Sequence, residues 1–239
     1  MPDSQVKKLK EIVDNSDNIV FFGGAGVSTE SGIPDFRSTG GLYHQHYAYP
    51  PETILSHTFY RRKPEEFFRF YRDKMLALDA KPNAAHLKLA QWEREGKLKA
   101  VITQNIDGLH QAAGSKKVLE LHGSVLRNYC EKCHKFYDAR YILNSEGVPR
   151  CECGGAIKPD VVLYEESLDM QTMEEAVSFI RRADVLIIGG TSLVVYPAAG
   201  LIDYYQGNKL VLVNKTPTPK DAAADLVVAG SIGEIFSQL

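Results

Sequence analysis

The sequence predicts an α/β fold: a doubly wound, parallel, Rossmann-like sheet with a smaller zinc-binding and helical domain formed by two insertions. Three observations predict it. Short β-branched apolar runs alternate with helical patterns, and runs that are apolar almost throughout suit strands covered on both faces. That rhythm breaks twice, first in a Gly-, Tyr- and His-bearing stretch near residues 34–82, then in a cysteine cluster within 123–159.

The elements follow in chain order. Val6, Leu9, Ile12 and Val13 form one stripe of an N-terminal helix. Strands are expected at Asn18 to Phe22, Ala100 to Thr103, Val118 to Leu121, Val185 to Ile188, Leu210 to Val213 and Leu226 to Val228. Asn83 is a suitable cap for a helix running through Trp92 and Arg94 and stopping at Gly96. Pro64-Glu65-Glu66-Phe67-Phe68-Arg69-Phe70-Tyr71 has helical periodicity and an acidic first turn, so a small helical module is expected there. The expected division is 1–33, 83–122 and 160–239 for the sheet domain, 34–82 for a loop and the helical module, and 123–159 for a zinc module.

Composition narrows the function classes. The 239 residues are 44% hydrophobic and 24% charged, which suits an ordinary soluble chain with a sizeable core. A formal charge of -2 gives no overall basic field, so direct nucleic-acid binding is not expected. No run approaches the roughly 18 apolar residues of a membrane span, and MPDSQVKKLKEIVDN lacks a secretory apolar core, so the cytoplasm is the expected location. Oligomeric state stays open.

All four cysteines fall in the pattern Cys130-x2-Cys133-x17-Cys151-x-Cys153. Two close thiol pairs across a modest loop suit one tetrahedral Zn2+, and four thiolates leave no open position, so the metal would be structural. A pair of disulfides would instead call for an oxidising compartment. Cys130-Glu131-Lys132-Cys133-His134 also fits the haem-attachment pattern, which would leave Cys151 and Cys153 without a role. His44, His46 and His57 raise the thought of a second metal, though a solvated loop accounts for them.

In open α/β sheets, ligands bind beyond the carboxyl ends of the strands. The successive runs end in Gly23-Gly24-Ala25-Gly26-Val27-Ser28, Gln104-Asn105-Ile106-Asp107, His122-Gly123, Gly189-Gly190-Thr191-Ser192, Asn214-Lys215 and Ala229-Gly230-Ser231-Ile232. Glycines admit phosphates to the backbone, while amides and hydroxyls bind ribose and nicotinamide. The dehydrogenase fingerprint does not fit: Thr29 stands where the third glycine belongs, and the acid expected about twenty residues later is missing. Hydride transfer is demoted accordingly.

Gly24-Ala25-Gly26-Val27-Ser28, Ser31-Gly32-Ile33-Pro34-Asp35-Phe36-Arg37, Thr103-Gln104-Asn105-Ile106-Asp107-Gly108-Leu109-His110 and His122-Gly123 together resemble the sirtuins, NAD-dependent protein deacylases. The cysteine knuckle, Gly190-Thr191-Ser192-Leu193 and Asn214 extend the likeness over nearly the whole chain. The resemblance implies NAD as co-substrate, one structural zinc and acyl-lysine proteins or peptides as substrates. It implies that the acyl oxygen displaces nicotinamide at the ribose C1′, with His122 as general base, Asn105 at the ribose and a water, and Asp107 at the carboxamide. Helix capping is the plainer role for Asn105 and Asp107. Gly24, Ala25, Thr29, Phe36, Arg37, Gln104, Ile106, Gly190, Thr191, Ser192, Asn214 and Ile232 match cofactor positions, with Phe36 shielding C1′. A loop from Ser38 to Tyr49 would cover NAD.

Substrate would lie along Val161 to Glu166, with Val162, Leu163 and Tyr164 in contact and Val162 bonding the acyl-lysine. Where sirtuins usually have Phe-Gly-Glu, this chain has Tyr164-Glu165-Glu166; a charge at the groove predicts a preference for basic flanks, unless Glu165 points to solvent. The desuccinylating branch carries Tyr-x-x-Arg, here Tyr71 and Lys74, so deacetylation is expected to dominate. Tyr71 could equally be core, since it shares a helical face with Phe67 and Phe70. Desuccinylase or demalonylase activity, mono-ADP-ribosyl transfer and a non-catalytic nucleotide sensor are the alternatives.

Overall fold

The computed structural model describes residues 2–36, 41–42 and 47–239. Among them, nine strands form two sheets: β1 (Ile19–Gly23), β2 (Leu98–Thr103), β3 (Val118–Glu120), β4 (Gly123–Cys130), β5 (Phe136–Asp138), β6 (Ile157–Val161), β7 (Val185–Gly189), β8 (Lys209–Asn214) and β9 (Leu226–Ala229). Six of these pair in parallel in the order β3-β2-β1-β7-β8-β9. The chain therefore reverses its direction of travel across the sheet between β1 and β7, and a crevice opens beyond their carboxyl ends.

Alternation along β1 builds the core. Ile19 and Phe21 enter one apolar cluster with Leu9, Leu89, Trp92 and Phe236; Val20 and Phe22 enter another with Ile102, Ile180, Leu186 and Ile188. All five β1 residues are buried, because successive side chains face opposite, helix-covered sides. α1 (Pro2–Asp14) contributes Val6, Leu9 and Val13 to the first cluster, and burying each is worth about 2 kcal/mol. Helices α2 (Pro51–Ile54), α3 (His57–Arg62) and α4 (Pro64–Lys74) lie in the first insertion. α5 (Ala84–Arg94) starts as expected: the Asn83 side chain accepts from Ala85 N–H, and His86 returns a bond to the Asn83 N–H. Gly96, at φ +77°, follows its end.

The second sheet is antiparallel, in the order β5-β4-β6. It packs with α2, α3, α4 and α6 (Ala139–Asn144) around a third cluster, in which Phe67, Phe68 and Tyr71 meet Val125, Cys130, Ile142 and Ile157. The two insertions thus share one core. The division expected at 159/160 falls inside β6, whose last residue, Val161, belongs to this cluster. No helix among the described residues is long and apolar enough to cross a membrane.

Candidate functional site

The turns after β1 and β7 pack against each other, which explains their glycines. Gly23 pairs with Gly189, and Gly26 N–H donates to Gly190 O at 2.7 Å. A Cβ on Gly26 would lie 2.8 Å from Gly190 Cα, and Gly190 itself has φ +60°. The glycines are first needed for this close approach of two backbones, which forms one wall of a cavity of about 760 Å3.

Beyond the first turn, Ser28 joins two strand ends. Its Oγ donates to Asp107 Oδ2 at 2.6 Å and accepts from Asn105 Nδ2 at 3.0 Å. Asp107 Oδ1 also accepts from Leu109 N–H at 2.9 Å, so the capping role coexists with a place in the cavity wall. Asn105 N–H is held by Thr103 Oγ1 at 3.0 Å. A second network spans three strands: Asn214 accepts from Thr191 N–H and donates to Thr191 O, and Gln104 Nε2 donates to Thr191 Oγ1 at 3.1 Å.

His122 lies between β3 and β4. Its Nδ1 is 2.9 Å from Gln104 O, an acceptor, so Nδ1 carries the proton and Nε2 is left with its lone pair. Burial lowers its pKa below the ordinary value, and the bond to Gln104 opposes this in part. The main-chain oxygen of His122 accepts from Val162 N–H at 3.0 Å. Leu163 N–H binds Glu166 and Tyr164 N–H binds Leu55 O, so all three N–H groups of this segment have partners.

The cavity wall includes Gly24, Ala25, Thr29, Phe36, Lys74, Gln104, Asn105, Ile106, Asp107, His122, Val162, Leu163, Tyr164, Gly190, Thr191, Ser192, Asn214 and Ile232. Arg37, His44, His46 and most of the expected covering loop lie outside the described residues. Tyr71 is fully buried, stacked on Phe67 and absent from the cavity wall, as the core alternative has it, because its helical face is the one that closes the third cluster. Lys74 does reach the wall, but pairs with Asp73 at 3.0 Å. Glu165 stands at the mouth with φ +75°, and its Oε2 accepts from Thr58 N–H at 2.9 Å on the first turn of α3. The bonds to Thr58 hold its carboxyl below the usual carboxylate range, so Glu165 keeps an exposed negative charge beside the start of the helix. His57 Nδ1 lies 2.8 Å from Glu166 Oε1.

The four cysteine sulfurs lie within 4.8 Å of one another, with Cys130 to Cys153 at 3.4 Å and Cys133 to Cys151 at 3.5 Å. An S–S bond is about 2.05 Å. The separations instead approach the edge, about 3.8 Å, of a tetrahedron with Zn–S bonds near 2.3 Å, so these residues fit one structural zinc.

Sequence reasoning missed Ser28 as the hub, and Leu126 and Tyr196 in the wall. Ser28 could have been found from its place at a strand end. Leu126 gave no signal, being one apolar residue in a strand of mixed composition.

The Sir2 family model matches residues 24–197. The chain belongs to the Sir2 family. Among sirtuins it is 61% identical over 241 residues to an NAD-dependent protein deacetylase of Clostridium perfringens, covering 99% of both chains. It is 42% identical to the Sir2 of a Sir2, p53 peptide and NAD+ structure, with a TM-score of 0.87 and coverage of 98% of this chain and 96% of that one. A Sir2 complex with an inhibitor, 2′-O-acetyl-ADP-ribose and deacetylated p53 peptide is 41% identical, with a TM-score of 0.86 and coverage of 97% and 96%.

Proposed function

We propose that this sirtuin is an NAD-dependent protein-lysine deacetylase, which moves the acyl group from lysine to ADP-ribose and releases nicotinamide. One observation carries the reading: His122 faces the cavity with a fixed tautomer, and its own backbone holds Val162, the segment assigned to acyl-lysine. NAD supplies the ADP-ribose acceptor and the nicotinamide leaving group.

In this reading, Gly24, Ala25, Thr29 and Arg37 hold the phosphates, while Gln104, Ile106, Gly190, Thr191, Ser192, Asn214 and Ile232 line the rest of the dinucleotide. Asn214 acts mainly through Thr191, to which both ends of its amide are tied. Ser28 orients Asn105 and Asp107 toward the nicotinamide ribose and carboxamide, and Phe36 keeps water from C1′. His122 Nε2 takes the proton of a ribose hydroxyl. Val162 spends its N–H on His122, so its carbonyl is what it offers the acyl-lysine amide. The lobe built from two insertions, extended to Val161, acts as the second domain. A reducing compartment, hence the cytoplasm, suits four cysteines held as thiols around one metal.

Acetyl is the preferred acyl group. Of the Tyr71 and Lys74 pair, only Lys74 reaches the cavity, and a lysine paired with Asp73 lacks the fork that grips a carboxylate. The test is incubation with NAD and acetyl-, succinyl- and longer acyl-lysine peptides, following peptide mass, nicotinamide and O-acyl-ADP-ribose. Acetyl turnover should exceed succinyl turnover, basic flanks should react faster than matched acidic ones at low salt, and His122→Ala should lose about a hundredfold or more. ADP-ribose left on protein, or full activity in His122→Ala, would overturn the reading.

A further inference from the structure

The antiparallel sheet interrupts its own ladder beside the cavity. β4 pairs with β6 at Ser124 and Asp160, then next at Asn128 and Pro159, so Val125, Leu126 and Arg127 form a bulge. That bulge turns toward the parallel sheet, and Val125 N–H donates to Ile106 O at 2.9 Å, between Asn105 and Asp107. At its far end, Arg127 Nη1 donates to Glu120 Oε2 and Nε to Asp160 Oδ2, both at 2.7 Å. Glu120 ends β3, two residues before His122. Asp160 lies in β6, two residues before Val162. The Glu120 side chain is 9% exposed, so its carboxylate depends on this partner. Arg127, Glu120 and Asp160 are all absent from the cavity wall.

We propose that Arg127 is a positioning residue for deacylation. Its guanidinium, forked between Glu120 and Asp160, sets the spacing between the His122 strand end and the Val162 segment and steadies the bulge that supports Ile106. A point-charged lysine cannot span both carboxylates with the same planar geometry. The Val162 to His122 bond and the short Gly123–Val161 and Ser124–Asp160 ladder are the main-chain links between the two segments before the bulge, and a small displacement of reacting groups costs rate steeply. The inference rests on the deacetylase reading.

The test compares wild type with Arg127→Lys, Arg127→Met, Asp160→Asn and the Arg127→Met/Asp160→Asn double variant, using NAD and one acetyl-lysine peptide. Both Arg127 variants should lower kcat about ten- to a hundredfold while zinc content and NAD affinity, measured by calorimetry, stay within about twofold. The double variant should be no slower than Arg127→Met alone, because both remove one interaction. Wild-type kcat in both Arg127 variants, losses that multiply in the double variant, or a loss that only follows loss of zinc would overturn the inference. If Arg127→Met fails to fold, Arg127→Lys and Asp160→Asn carry the same comparison. An inactive wild type would sink the deacetylase reading and this inference with it; an active wild type beside equally active Arg127 variants sinks this inference alone.

Discussion

The imidazole of His122 is both buried and anchored, and its chemistry follows from that pairing. Burial holds its pKa below the ordinary 6.5, so the base is neutral at pH 7 and kcat/KM should fall only at an acid inflection below 6.5. A pH-rate profile with its inflection at or above 6.5 would contradict this. His86 and His110, with ring centroids 4.7 Å apart, sit deeper. Burial, then His86, pushes His110 down to about 3, and burial lowers His86 against the opposing charge of Asp107. Both therefore take protons more readily in the unfolded chain, so their contribution is complete above pH 6.5 and is lost as pH falls. The loss is about 2 kcal/mol per histidine at pH 5. Replacing His110 by Leu should flatten the decline of the urea midpoint between pH 6.5 and 4.5; an unchanged slope would count against it. The placement of single residues in the cavity wall was legible where a strand end fixes position, as for Asn105 and His122. Tyr71 was not, because a helical stripe of Phe and Tyr reads alike whether it faces a core or a ligand.

The start of β4 depends on a residue without a side chain. Gly123 has φ +74°, and a Cβ there would lie 2.0 Å from Asp160 O, a backbone atom that cannot move without parting β4 from β6. Gly123→Ala should cost about 3 kcal/mol or more, seen as a lower melting temperature and loss of deacetylation. A folded, fully active variant would show that the β4 and β6 pairing is not needed for the site. The six parallel strands were legible because each is a largely apolar run, buried on both sides throughout in the central β1 and β7. The antiparallel trio was not: β4 alternates only after its bulge, β6 carries Pro159 and Asp160, and the partner of Arg127 is seven residues away on one side and 33 on the other.

Across the molecule, the parallel, doubly wound character of the sheet followed from the βα rhythm, whereas the contact between the two insertions depends on the folded path of the chain. Cys130 and Cys151 are buried in the third cluster, so the zinc site and the aromatic core of the lobe stand or fall together. Removing zinc by chelation should abolish deacetylation and the near-ultraviolet signal of this aromatic cluster while much of the parallel sheet's circular dichroism remains. Zinc-free protein with full activity would overturn that. The three clusters share no residue, two flanking the parallel sheet and one lying apart in the lobe. In a scanning calorimeter this partition means two heat-absorption peaks instead of one, and a molecule seated across the seam would draw the peaks together, so the sharpness of the melt would itself report whether both halves are gripping the same guest.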